Sequence, residues 1–123
     1  MLKVLIVDDE ENTRLALSRY LSGQSCQIAA ATDGGTALRQ LNHQSFDLVI
    51  TDINMPGMNG LQFLDQMMHR HPAVPVIMMT AYAGIDSYLQ SKNLGALEYL
   101  VKPVRLADLK TLIDHVKKGK LLH

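Results

Sequence analysis

Cysteine is nearly absent from this chain. Cys26 stands alone, which excludes an internal disulfide framework and points to a reducing compartment. It opens an apolar run, where a small core residue is the expected role. Net charge is also missing, since 12 basic residues balance 12 acidic ones. No global field therefore draws the chain to nucleic acid or to an anionic membrane. Long apolar stretches are lacking too, none approaching the roughly 18 residues of a membrane span. Met1-Leu2-Lys3-Val4 already reads as strand, so no signal peptide is expected ahead of the fold. Together these features predict a cytoplasmic location. There is no internal repeat, no low-complexity tract and no linker. His69 and His71 at one helix end and His115 on another lack a metal spacing and are expected at a solvated surface.

The chain is 123 residues long and 47% apolar, which suits one domain with one core. Strand-type runs occur at Lys3–Val7, Cys26–Ala31, Asp47–Thr51, Pro75–Met79 and Leu97–Val101. Helical spacing fills the intervals. Glu11–Ser22 carries Leu15, Leu17 and Leu21, and Gly34–His43 carries Ala37, Leu38 and Leu41. Asn59–His71 and Arg105–Lys118 are strongly periodic, whereas Ile85–Asn93 is short and polar. Asp33 or Thr36 is placed to cap the second helix, and Asp86 falls in the first turn of the fourth. The tail from Lys117 to His123 reads as a frayed end or the start of a linker. Alternating strand and helix predict an α/β fold with a parallel sheet and right-handed crossovers. Strands that are apolar throughout predict a sheet covered on both faces.

The strand ends carry the chemistry. Asp8 and Asp9 follow one run, Asp52 a second, Thr80 a third, and Lys102 before Pro103 a fourth. In a parallel sheet these ends share one edge, where open α/β sheets bind ligands. Carboxylates offer the oxygen ligands that Mg²⁺ requires. Asp52 is suited to be a ligand, a nucleophile that forms an aspartyl phosphate, or both. Lys102 and the Thr80 hydroxyl suit phosphoryl oxygens, and the X-Pro bond restricts the backbone at Lys102. Each residue also has a plainer role. Asp8-Asp9-Glu10 can be an acidic helix start, and Tyr99 half-buried packing.

Four pieces together resemble the receiver domain of bacterial two-component response regulators over essentially residues 1–123. They are Val7-Asp8-Asp9, Thr51 to Gly60, Met79-Thr80-Ala81, and Tyr99-Leu100-Val101-Lys102-Pro103. The resemblance implies a flavodoxin-like (βα)₅ three-layer sandwich with strand order 2-1-3-4-5, a topology for which such domains are a standing example. It implies that Asp52 accepts a phosphoryl group from a histidine kinase or phosphotransfer protein. Asp9, Asp52 and the backbone carbonyl of Asn54 would hold Mg²⁺, or Mn²⁺ in its place, with Asp8 acting directly or through water. Lys102 would contact the phosphoryl group, and Thr80 and Tyr99 would form a switch pair. Asn54 and Tyr82 would set the phosphoryl lifetime. The face made by the fourth helix, fifth strand and fifth helix would engage an output domain or target protein. A phosphorylation-dependent homodimer fits the same resemblance; direct nucleic-acid or membrane binding by this domain is not expected.

Two rival readings arise. A Mg²⁺-dependent phosphatase or phosphotransferase would also work through an aspartyl phosphate, but commonly carries a second carboxylate two residues after the nucleophile. Here that residue is Asn54. A receiver-like module that is never phosphorylated has no need of Asp8, Asp9, Asp52, Thr80 and Lys102 together.

Overall fold

The apolar runs become the strands of a single sheet, and the polar intervals between them become its covering helices. A computed structural model describes residues Met1–Leu122. The elements are β1 (Leu2–Val7), α1 (Glu11–Ser22), β2 (Cys26–Ala31), α2 (Gly34–His43), β3 (Leu48–Asp52), α3 (Gly60–Arg70), β4 (Val76–Thr80), α4 (Ile85–Asn93), β5 (Glu98–Val101) and α5 (Leu106–Leu122). Every strand pair is parallel, and the order is β2-β1-β3-β4-β5. This is the flavodoxin-like (βα)₅ arrangement that the resemblance implied.

Side chains along a strand alternate between faces, and that alternation divides the core in two. Leu5, Val7, Val49, Val76 and Met78 pack with Leu38 and Leu41 of α2 and Phe63, Leu64 and Met67 of α3. Val4, Ile6, Leu48, Ile50, Ile77 and Met79 pack on the other face with Leu17, Leu21, Leu109 and Ile113 of α1 and α5. Each such side chain contributes about 1.5–3 kcal/mol on full burial. β3 and β4 are buried at every position. Cys26 is buried, as expected of a small core residue.

Helix starts are unevenly secured. Asp33 caps α2 by accepting from the Thr36 N–H, and Asn59 forms a capping box with Gln62 at α3. Glu10 and Gly84, at the starts of α1 and α4, make no side-chain cap bond.

Several predicted boundaries move. Asp52 and Thr80 are the last residues of β3 and β4 instead of following them, because Asp52 pairs with Met79 and Thr80 with Val101 in the sheet ladder. Asn59 and His71 flank α3 as its caps. α5 continues past Lys118 to Leu122, and His123 lies outside the described residues. Leu15 is 46% exposed, because α1 turns only Leu17 and Leu21 fully into the core. No helix among the described residues is long and apolar enough to cross a membrane.

Candidate functional site

Register brings the predicted residues to one edge. Val7 pairs with Thr51, which sets Asp8, the residue after β1, beside Asp52 at the end of β3. Asp52 pairs with Met79, so Thr80 comes next along the edge. Thr80 pairs with Val101, and the Lys102 N–H donates to the Thr80 carbonyl at 2.7 Å. The Lys102-Pro103 peptide bond that follows is cis.

Lys102 is the electrostatic centre. Its Nζ lies 2.9 Å from Asp8 Oδ2, 3.5 Å from Asp52 Oδ2 and 3.6 Å from Glu10 Oε1. Asp8 is fully buried and its other oxygen accepts the Glu10 N–H at 2.9 Å. Arg14 donates to the Asp8 carbonyl at 2.8 Å. Asp52 is 4% exposed and accepts a long bond from the Asn54 N–H at 3.4 Å. Burial first, and then the like charge of Asp8, push the Asp52 carboxyl pKa upward; Lys102 and the Asn54 N–H pull back less strongly. Burial works against the Lys102 ammonium. The Asp8 hydrogen bond and the charges of Asp8, Asp52 and Glu10 together outweigh it, so the Lys102 pKa is raised.

The backbone around Asp52 is clamped from below. Gly60 begins α3, and its N–H donates to the Ile53 carbonyl at 2.7 Å. A Cβ at Gly60 would stand 2.3 Å from the Asp52 carbonyl oxygen, so only glycine permits this approach.

Asp8, Glu10 and Asp52 can present carboxylate oxygens within 4.8 Å of one another. Glu10 is not among the site residues expected from the sequence, where it reads only as part of an acidic helix start. Asp9 is exposed and lies outside this cluster, lining a cleft with Asp33, Gly34 and Pro56. Thr80 is fully buried. Its hydroxyl oxygen accepts from Asn54 Nδ2 at 3.1 Å and from the Tyr82 N–H at 3.0 Å. The Tyr82 side chain is 78% exposed. Tyr99 is half-buried, with its hydroxyl 2.7 Å from Ser87 Oγ and its ring edge-on to Tyr88. Among the described residues, Thr80 and Tyr99 share no hydrogen bond. A cleft of about 560 Å³ opens beside Lys102, walled by Ala16, Leu17, Pro103 and Leu106.

A parallel five-stranded sheet of this order, with acids, a hydroxyl and a lysine on its carboxyl edge, defines a receiver-type domain. The comparison with known sequences makes the assignment specific. The chain belongs to the response regulator receiver domain family, whose sequence model matches residues 4–114. It is 40% identical over 119 residues to response regulator protein FleR of Pseudomonas aeruginosa, covering 97% of this chain and 25% of that protein. It is 38% identical over 109 residues to the DNA-binding transcriptional regulator NtrC of Klebsiella pneumoniae, covering 89% of this chain and 23% of that protein. The chain thus spans about a quarter of the length of these relatives. A response regulator receiver domain protein from Clostridium thermocellum superposes with a TM-score of 0.90 at 31% identity, over 100% of both chains. TrrA of Thermotoga maritima, solved in complex with Mg²⁺ and BeF, superposes at 0.85 with 34% identity, over 94% of this chain and 99% of that one.

Proposed function

We propose that Asp52 accepts a phosphoryl group from the phosphohistidine of a histidine kinase or phosphotransfer protein, and that this acylphosphate switches a binding surface. One observation carries the reading. A buried carboxylate, Asp52, lies beside a second buried acid, Asp8, and the Lys102 ammonium bridges the two at the carboxyl edge of the sheet.

In the transfer, an ionised Asp52 oxygen attacks phosphorus. The donor's nitrogen–phosphorus bond breaks, and its electron pair returns to the imidazole. The protein's contribution is position and charge. Lys102 turns its ammonium from Asp52 to the incoming phosphoryl oxygens. Thr80 has both hydroxyl lone pairs engaged by Asn54 and Tyr82, which leaves its proton to donate. The cluster of Asp8, Glu10 and Asp52 suits a hard divalent cation; burial is the main cause of the raised Asp52 pKa, and such an ion would relieve the smaller part that comes from the like charge of Asp8. Asp8, Asp9, Asp52 and the Asn54 backbone carbonyl would hold Mg²⁺, or Mn²⁺ in its place. When bound, the ion supplies charge neutralisation at the phosphoryl oxygens.

The domain itself catalyses both gain and loss of the group. Asn54 and Tyr82 set how readily water reaches it, the Tyr82 ring limiting access at the mouth. Thr80 and Tyr99 relay occupancy of Asp52 to the face of α4, β5 and α5, where an output domain, a target protein or a second copy docks. A cytoplasmic setting suits the single buried cysteine, Cys26. The phosphatase reading has less support, since Asn54 replaces the second acid it would use.

Incubation with a small phosphodonor and Mg²⁺ is the test. The expected product is a stoichiometric, acid-stable and base-labile phosphoprotein. Multiple turnover of a foreign phosphate ester, without stoichiometric label, would overturn the reading in favour of an enzyme.

A further inference from the structure

Ser87 ties the Tyr99 ring to the first turn of α4. Its hydroxyl lies 2.7 Å from the Tyr99 hydroxyl and 3.2 Å from the Gly84 carbonyl. A serine hydroxyl has one proton, and a carbonyl can only accept. Ser87 therefore donates to Gly84 and accepts from Tyr99. The same Gly84 carbonyl takes the Tyr88 N–H at 3.0 Å, the first hydrogen bond of the helix. The Tyr88 ring meets Tyr99 edge-on, with centroids 5.5 Å apart at 89°. One hydrogen bond and one aromatic contact thus fasten Tyr99 to this turn.

Little else secures it. Gly84 offers no side-chain cap. Ile85, Tyr88 and Leu89 are 78%, 42% and 49% exposed. The buried residue of α4 is Ser91, whose hydroxyl has no hydrogen-bond partner among the described residues. At its other end Lys92 donates to the Leu97 carbonyl at 3.1 Å and pairs with Glu98 at 3.5 Å, but with so little apolar burial the first turn of this nine-residue helix is weakly held.

We propose that Ser87 is a positioning residue that sets the balance between a Tyr99 ring held against α4 and one turned toward Thr80. Its effect on Asp52 rests on the reading of Thr80 and Tyr99 as a switch pair; the tether itself does not. Removing the Ser87 hydroxyl shifts the balance about fivefold, the weight of one neutral hydrogen bond. By linkage, a ligand of the Asp52 site that selects the turned ring gains the same factor.

Two measurements on the intact chain separate the claims. In the unliganded protein, Ser87→Ala and Tyr99→Phe should each speed amide exchange at Tyr88 and Leu89 about fivefold. The double variant should be no faster than either, and Ser87→Thr should stay near the parent. Unchanged exchange in Ser87→Ala, or fully additive rates in the double variant, overturns the tether. Titration with beryllium fluoride and Mg²⁺ should then give an about fivefold lower dissociation constant for Ser87→Ala. That gain should vanish in a Tyr99→Phe background. Faster exchange with an unaltered dissociation constant overturns the coupling to Asp52. If the parent binds no beryllium fluoride, the phosphoacceptor reading fails, and the exchange data alone decide the tether.

Discussion

Replacing Lys102 with methionine isolates the electrostatics of the site. Methionine keeps most of the side-chain volume and removes the ammonium that lies 2.9 Å from Asp8 and 3.5 Å from Asp52. Two carboxylates, fully buried and 4% exposed, are then left facing each other. Removing one partner from a buried charge pair costs about 3–5 kcal/mol. We take about 3 kcal/mol, the low end of that range, because partial protonation of Asp52 relieves some of the repulsion. For a chain of this size that corresponds to a melting point lower by roughly 10–15 °C. The assay is thermal unfolding at neutral pH in a chelator. The sign with pH follows from the raised Asp52 pKa. Its stabilising contribution is fully present below the unfolded carboxyl value and is lost as pH rises through the higher folded value. Acidification into that window should therefore narrow the gap between Lys102→Met and the parent. Asp52→Asn in the same background should restore most of the loss, with a coupling of at least about 1 kcal/mol. A loss of equal size with and without Asp52 would refute the reasoning, since Lys102 would then not be offsetting repulsion between Asp8 and Asp52.

Mg²⁺ should raise the melting point of the parent, by roughly 2.7 kcal/mol of stability at 100 times its dissociation constant; an undiminished shift in Asp9→Ala would remove Asp9 from the proposed donor set. Gly60→Ala should destabilise by at least about 2 kcal/mol and slow phosphorylation, because the added methyl collides with the Asp52 carbonyl; wild-type stability in chemical denaturation would contradict that contact. Tyr82→Ala should shorten the phosphoprotein lifetime several-fold while leaving Mg²⁺ affinity alone, and decay as slow as the parent's would sink its role in excluding water.

The sheet was legible because a strand buried on both faces leaves an unbroken apolar run, and a polar residue ending such a run is conspicuous. Asp8, Asp52, Thr80 and Lys102 were found in this way, and the parallel order brought them together. The division of labour among Asp8, Asp9 and Glu10 was not legible. All three sit in one strand-to-helix turn, and the side chain that swings toward the cluster is decided by Lys102, more than ninety positions along the chain. Leu15 fits a helical period yet stays half-exposed, since period alone does not say how wide a stripe the sheet can cover. Ser87 gave no signal at all. Its meaning depends on Tyr99, twelve residues away, and on a helix whose weak pattern hides which residues touch the sheet.

Identification of the modified residue tests the central claim most directly. After treatment with a small phosphodonor and Mg²⁺, the acylphosphate can be trapped by borohydride reduction and the peptides mapped by mass spectrometry. The account predicts one modified residue, Asp52, and no modification in a folded Asp52→Asn variant. Modification at Asp8 or Asp9 with Asp52 untouched, or undiminished labelling of Asp52→Asn, would contradict it.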